Sequence, residues 1–366
     1  MFTALSDATA HCGTKAANLA RLLRAGFAVP DGFVITDPRA PGWERELAPA
    51  LRALGPGPYA VRSSALGEDG ASASYAGQLH TTLGAADPAG VADAVRRCSA
   101  SADGARAAAY TARTGGPAPR PRVLVQLMVA AEAAGVVFTR HPVTGADETV
   151  IEAVAGLGDA LVAGAVTPER WIVGAGTRTE PGSGPGGVLT AGRAAELAGT
   201  ARRIEDLFGG PQDIEWAIAD GRIWILQARP VTTAPGTGTD TRPESATRPA
   251  DPAGRPLVTG TAAGPGIATG PARVITGPDD FDRFTPGGVL VCRTTSPAWT
   301  PLLARAAAVV TETGGMLAHA AIVAREFGIP AVLAAEHAMT LIAHGRRVTV
   351  DGSRGTVTAT DERTDR

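Results

Sequence analysis

The sequence predicts an α/β protein in two folded parts, on three observations. Helical spacing and strand-like alternation occur together in residues 1 to about 230. A second set of short strands surrounds one helix between 257 and about 360. Between them, "TTAPGTGTDTRPESATRPADPAGRP" (232–256) has proline, threonine and glycine but hardly any large apolar residue, so it reads as a linker. A flexible chain of that length spans roughly 25–30 Å and stretches toward about 75 Å if polyproline-like. The expected domains are therefore 1–231 and 257–360, with a linker at 232–256 and a tail at 361–366.

The elements follow in chain order. "KAANLARLLRAGFAVPDGFVIT" begins as an amphipathic helix, with Leu19, Leu22 and Leu23 at helical spacing. Gly26 ends it and Pro30 bars its continuation. "YAVRSSA" is a strand running into a polar loop, "RVLVQLMV" an apolar strand carrying one amide, and "GVVFTRHPVTG" a strand ending in a turn. A helix ends at Gly209-Gly210, and a hairpin follows. Beyond the linker, "VLVCRT", "AAVVTE", "PAVLAA", "RVTVDG" and "GTVTA" are strands, and "AHAAIVAREF" is the helix among them. There is no internal repeat and no sustained heptad pattern.

Composition narrows the function classes. A net charge of −2 with 19% charged residues argues against a nucleic-acid or anionic-membrane surface. No apolar run reaches the roughly 18 residues of a membrane helix, and the N-terminus lacks the basic and apolar regions of a signal peptide. Cys12, Cys98 and Cys292 stand far apart without CxxC spacing, so a reducing, cytoplasmic location is expected. Lys15 is the single lysine beside 33 arginines. A lone lysine in so arginine-rich a chain is either a chance survivor or held for its compact ammonium, which guanidinium does not replace.

Three clusters carry candidate chemistry. In the hairpin "QDIEWAIADGRIWILQARP", a three-residue loop Ala219-Asp220-Gly221 is expected, pairing Ile218 with Arg222. Glu215 then faces Ile225 and Asp213 faces Gln227, and alternation puts Asp213, Glu215, Gln227 and Arg229 on one face. Trp216, Trp224 and Leu226 take the other face as a core layer. A carboxylate, an amide and a guanidinium on one face suit a magnesium–phosphate site, and an exposed polar face with a surface salt bridge is the other reading. In "VRSSALGEDGASASYAGQLHT", Arg62 ends an apolar strand ahead of serines and glycines that let backbone amides approach an anion, although most such loops are simply turns.

The third cluster is "TETGGMLAHAAIVAREFGIPAVLAA" (311–335). Gly314-Gly315 permits a tight reversal, and Ile322, Val323 and Phe327 form an apolar stripe. His319 therefore falls near a helix N-terminus, where free N–H groups and the macrodipole depress imidazolium and favour an anion on the ring. A neutral imidazole there is a nucleophile, and a phosphoryl group on it would be stabilised where it lands. The other histidines (His11, His80, His141, His337, His344) show no metal-ligand spacing. A lone histidine is more often a surface or satisfied core residue, and the residues alone leave both readings open.

"CGTKAANLARLLRAGFAVPDGFVIT", "VRSSALGEDGASASYAGQLHT", "VLVQLMVAAEAAGVVFTRHPVTG", "IEAVAGLGDALVAGAVTPERW" and "GGPQDIEWAIADGRIWILQARPVT" resemble the nucleotide-binding half of the phosphoenolpyruvate synthase and pyruvate phosphate dikinase family. "SPAWTPLLARAAAVVTETGGMLAHAAIVAREFGIPAVLA" resembles its phosphohistidine domain, and the order, histidine domain last, is similar to rifampicin phosphotransferase. The resemblance implies an ATP-grasp domain followed by a swivelling β/β/α phosphohistidine domain. It further implies that Lys15 and Arg62 hold nucleotide phosphates, and that Gly77 and Thr81 line the phosphate loop. Gln126 and the backbone of Leu127, Met128 and Val129 would meet adenine. Glu215 and Gln227 would bind Mg2+, Arg229 the terminal phosphate, and His319 would carry the phosphoryl group, with Lys15 and Arg229 assisting catalysis.

The implied activity is a dikinase-type phosphotransfer from ATP through phosphohistidine to a small hydroxylated metabolite or antibiotic, giving AMP and phosphate. Alternatives are a phosphorylation-activated dehydratase or cyclase, and a phosphocarrier serving a separate acceptor-binding protein. The pattern departs from the family at Cys12, Asp159 and Ala318, and in a compressed Lys15–Arg62 interval. Without a pyruvate-binding barrel or long acceptor module in the sequence, the acceptor is expected between the two domains or on another polypeptide.

Overall fold

The computed structural model describes residues 1–66, 79–104, 111, 119–174, 177–179, 187–231 and 255–360. Gly77, the tail at 361–366, and all but the last two residues of the expected linker lie outside them. The chain forms two compact units: Met1–His141, Asp147–Gly158 and Glu169–Val231 make the first, and Pro142–Ala146, Asp159–Pro168 and Thr232–Arg366 the second.

The first unit holds two antiparallel sheets. One comprises β1 (Phe2–Ala4), β2 (Gly32–Ile35), β3 (Tyr59–Ser63), β4 (Thr81–Ala85) and β5 (Val123–Leu127), in the order β1-β2-β5-β3-β4. Its inward residues Phe33, Ile35, Val61, Val123 and Val125 share a core with Trp43, Leu47 and Leu51 of a helix over Trp43–Leu54 and with Val91 and Val95 of another over Pro88–Ser101. The second of these helices starts at Asp87, whose carboxylate accepts the Gly90 N–H at 2.7 Å, with proline in the first turn, where its missing N–H costs nothing.

The other sheet comprises β6 (Ala133–Phe138), β7 (Thr149–Ala155), β8 (Glu169–Val173), β9 (Thr177–Thr179), β10 (Gln212–Ala219) and β11 (Arg222–Pro230), in the order β11-β10-β6-β7-β8-β9. The helix read from leucine spacing is α1 (Thr14–Arg24), and Gly26 follows it at φ 83°. Leu19 and Leu22 of α1 and Leu197, Ala201 and Ile204 of the helix over Ala191–Phe208 bury against Ile214, Trp216 and Ile218 of β10. Apolar residues at these spacings turn one helix stripe toward one sheet face, and that burial is the main favourable term.

The hairpin corrects the expected register. Ala219 pairs with Arg222, so the turn has two residues, Asp220 and Gly221, both at positive φ (50° and 68°), as a type I′ turn requires. Ile218 pairs with Ile223 rather than Arg222. A bulge beside Glu215 and Trp216 then takes Leu226 out of the ladder, so Glu215 faces Gln227 rather than Ile225, and Asp213 faces Arg229 rather than Gln227. Direct partners share a face, so Asp213, Glu215, Gln227 and Arg229 stay together, as expected. The core layer differs: Trp216 pairs with Ile225 and is buried, whereas Trp224 pairs with Ala217 and lies under the Arg222 guanidinium, 4.6 Å from its centroid. Leu226 is half-buried.

The second unit is built on one mixed sheet: β12 (Val258–Thr259), β13 (Thr261–Gly264), β14 (Ile267–Val274), β15 (Val289–Cys292), β16 (Ala308–Thr311), β17 (Ala331–Leu333), β18 (Arg347–Asp351) and β19 (Thr356–Ala359). The order is β12-β19-β18-β14-β15-β16-β17-β13, with β14 to β17 mutually parallel. All five strands expected here form. The expected helix is α2 (His319–Phe327), packed on β13, β16 and β17. Val289, Val291, Val310, Val332, Val348 and Val350 fill the core on the sheet. Among the described residues no helix is long and apolar enough to cross a membrane, and Cys12, Cys98 and Cys292 are buried free thiols.

Candidate functional site

In the first unit the candidate residues converge from three elements. Arg62, near the end of β3, pairs across the sheet with Thr81 at the start of β4. Its guanidinium reaches the hairpin: Nη2 donates to Glu215 Oε2 at 2.6 Å and to Gln227 Oε1 at 2.8 Å, and Nη1 donates to the Leu226 carbonyl at 2.7 Å. The bulge matters here, because the carbonyl it takes out of register is the one that accepts from Arg62. Two register steps further, on the same face, Arg229 donates through Nε to Asp213 Oδ2 at 2.9 Å, and both side chains are at most 8% exposed. Bidentate and charge-assisted contacts of this kind hold guanidinium groups in fixed planes.

Lys15 sits in the first turn of α1, 6% exposed. The start of that helix is stitched to the end of β3: Ala16 N–H donates to Ser64 Oγ, and Ser64 Oγ donates to the Cys12 carbonyl, both at 3.0 Å. Gly13 makes this approach possible. It has φ 91°, and a Cβ there would lie 1.5 Å from the Ser64 carbonyl oxygen. At the other end of the helix's first turn, Asn18 Nδ2 donates to the Ala228 carbonyl of β11 at 2.9 Å. The helix start carrying Lys15 is thus tied both to the strand of Arg62 and to the strand of Gln227 and Arg229.

Gln126, 3% exposed, lies in β5 between β2 and β3. Its Nε2 donates to the Pro30 carbonyl at 2.9 Å. The Leu127 and Met128 amides donate to the carbonyls of Asp31 and Pro58 at 2.9 and 3.0 Å, and the Val129 carbonyl accepts from Ala131 at 2.9 Å. These groups brace the segment where it leaves the sheet.

Glu215 and Gln227 fit a hard divalent cation. They are directly paired, and their oxygens converge on one guanidinium nitrogen, a point already held by positive charge. Two protein oxygens leave the remaining positions to phosphate and water, as magnesium prefers. Among the described residues no group of three His, Cys, Asp or Glu is placed to hold a metal.

In the second unit, His319 is the first residue of α2, and Ala318 before it supplies no side-chain cap. The ring is 4% exposed and lies between two hydroxyls, with Thr295 Oγ1 at 2.9 Å from Nδ1 and Thr300 Oγ1 at 3.1 Å from Nε2. Burial pushes the imidazole pKa down from 6.5 to about 3, so the ring is neutral at ordinary pH. The preceding loop is braced by the buried Arg325 of α2, which donates to the Met316 carbonyl at 2.9 Å and the Ala263 carbonyl at 3.2 Å. Sequence reasoning did not single out Thr295, Thr300, Arg325 or Asn18. The hydroxyls lie 24 and 19 residues from the histidine and carry no spacing signal.

Two family descriptions match the sequence. "Pyruvate phosphate dikinase, AMP/ATP-binding domain" matches residues 43–183 and 177–248, which include Arg62, Thr81, Gln126, Glu215, Gln227 and Arg229. "PEP-utilising enzyme, mobile domain" matches residues 284–355, which include His319. The fold and these matches define an ATP-grasp nucleotide-binding domain followed by a phosphohistidine domain. The chain belongs to the phosphoenolpyruvate synthase and pyruvate phosphate dikinase family. It is 39% identical over 325 residues to a probable phosphoenolpyruvate synthase of Methanothermobacter thermautotrophicus, covering 81% of this chain and 46% of that one. A probable phosphoenolpyruvate synthase of Archaeoglobus fulgidus is 35% identical over 423 residues, covering 94% of this chain and 56% of that one. The phosphoenolpyruvate synthase of Pyrococcus furiosus is 39% identical over 335 residues, covering 81% and 40%. The chain thus spans about half the length of these relatives.

Proposed function

We propose that the chain is an ATP-dependent phosphotransferase working through a phosphohistidine at His319. ATP, water and an acceptor become AMP, inorganic phosphate and a phosphorylated acceptor, which is a small hydroxylated metabolite. The observation that carries this reading is His319 itself. It is a ring held neutral by burial at the first turn of a helix, on a chain whose other unit gathers Arg62, Glu215, Gln227 and Arg229 on one sheet face.

In this reading Lys15 and Arg62, with Gly77 and Thr81, hold the nucleotide phosphates, and Arg229 grips the terminal one. Gln126 and the backbone of Leu127, Met128 and Val129 form the adenine edge. Glu215 and Gln227 hold Mg2+, which when bound neutralises phosphate charge. His319 attacks the β-phosphoryl, the bond to the α-phosphoryl oxygen breaks, and AMP leaves. Water takes the terminal phosphoryl as inorganic phosphate, and the remaining phosphoryl passes to an acceptor oxygen. Both ring nitrogens contact threonine hydroxyls, so the nitrogen that attacks must first shed its threonine. The low pKa means that no proton has to be removed from an imidazolium at neutral pH.

The test is a screen of pyruvate and hydroxylated small molecules for AMP release from ATP and Mg2+, followed by product mass. A compound that stimulates AMP release and gains one phosphoryl group supports the reading. A product without phosphate indicates a dehydratase or cyclase, and AMP release only with a second protein indicates a phosphocarrier. A cytoplasmic setting fits the three buried free thiols.

A further inference from the structure

Arg62 occupies the position that a divalent cation needs. Its Nη2 sits 2.6 Å from Glu215 Oε2 and 2.8 Å from Gln227 Oε1, the two oxygens assigned above to the metal. Its Nη1 is anchored 2.7 Å from the Leu226 carbonyl, so the guanidinium is fixed at both ends of its fork. The Arg62 and Glu215 side chains are 14% and 21% exposed, so solvent screens the pair only in part. The neighbouring cation, Arg229, is engaged with Asp213.

The geometry points to Arg62 as an internal placeholder that makes divalent-cation binding conditional on a polyphosphate. A metal ligated by Glu215 and Gln227 would share their oxygens with a guanidinium of like charge, and a single carboxylate does not hold both. Metal entry and Arg62 departure are therefore one event. What draws Arg62 off is a ligand that offers a guanidinium fork more negative charge than one carboxylate, namely the triphosphate of a nucleotide. Once Arg62 has turned to phosphate, the two freed oxygens complete a metal site with the phosphate oxygens. The metal and the nucleotide then tighten each other by the same factor, as linkage requires. The inference deepens the proposed function, since it rests on Glu215 and Gln227 being metal ligands.

Binding of Mn2+, followed by electron paramagnetic resonance of the free ion, tests it without turnover. Four full-length proteins are compared, each with and without a non-hydrolysable ATP analogue: native, Arg62→Gln, Arg62→Lys, and Arg62→Gln combined with Glu215→Gln. The native protein is expected to bind Mn2+ at least about tenfold more tightly with the analogue than without it. Arg62→Gln is expected to bind Mn2+ alone at least about tenfold more tightly than the native protein does, and adding Glu215→Gln to remove that gain. Arg62→Lys keeps the charge and loses the fork, so it is expected to fall between the two. Circular dichroism and thermal unfolding of each variant report whether it is folded. Equal Mn2+ affinity of native and Arg62→Gln protein without nucleotide overturns the placeholder while leaving the metal ligands standing. Mn2+ binding with the analogue that Glu215→Gln does not weaken overturns both.

Discussion

The hairpin site and the histidine site solve opposite electrostatic problems. On the β10–β11 face every formal charge has an opposite charge against it, Arg62 with Glu215 and Arg229 with Asp213. Around His319 each ring nitrogen meets a threonine hydroxyl, and burial strips the charge from the ring. A surface that must receive a polyphosphate has to keep cations, and cations stay inside a fold only when paired. A nucleophile has to keep a lone pair, and desolvation achieves that without a neighbouring charge. The comparison predicts that the first region fails when a partner is deleted, and the second when acid restores a charge.

The largest stability effect should come from the first. Arg229→Met leaves Asp213 buried without its cation and should cost about 3–5 kcal/mol in urea unfolding. Asp213→Leu combined with Arg229→Met should recover most of that loss, because neither charge then remains buried alone. If the single variant unfolds like native protein, the pairing account of the hairpin is broken.

The second effect is a pH dependence. The folded ring has its pKa near 3 against 6.5 unfolded, so between these values the unfolded chain binds more protons. The contribution of His319 is fully present above pH 6.5 and is lost as pH falls toward 3. The loss between pH 7 and 4 should be about 3 kcal/mol. His319→Gln should flatten that part of the profile, measured by urea midpoints across pH. An unchanged slope would show that the ring titrates in the fold.

Smaller effects sharpen the contrast. Thr295→Val or Thr300→Val should each cost about 1–2 kcal/mol by leaving a buried ring nitrogen short of a hydrogen bond, and should move the ring nitrogen's NMR shift. The smallest is Arg222→Ala, which removes an exposed guanidinium from the Trp224 face and should cost about 0.5–1 kcal/mol.

The two regions were unequally legible in the sequence. The shared face of Asp213, Glu215, Gln227 and Arg229 could be read because strand parity survives an error of register, provided that the error is even at that end. The bulge at Leu226 left no periodic signal in a nine-residue strand, so the opposed pairs and the buried tryptophan layer were misread near the turn. β14 also escaped, because "IATGPARV" carries the residues that normally break a strand. Gly270 is needed there, since a Cβ would meet the Gly287 carbonyl oxygen at 2.7 Å. In the second unit β15 to β19 and α2 were plain from their apolar runs, but the hydroxyls flanking His319 come from the stretch after β15, far from it in sequence, and could only be found in three dimensions.

Exposure to ATP labelled at the β-phosphorus, with Mg2+, tests the central claim most directly, comparing native protein with His319→Ala. The account predicts acid-labile label on the native chain, with release of AMP, and none on the variant. Equal labelling of the two proteins, or label that survives acid, would contradict it.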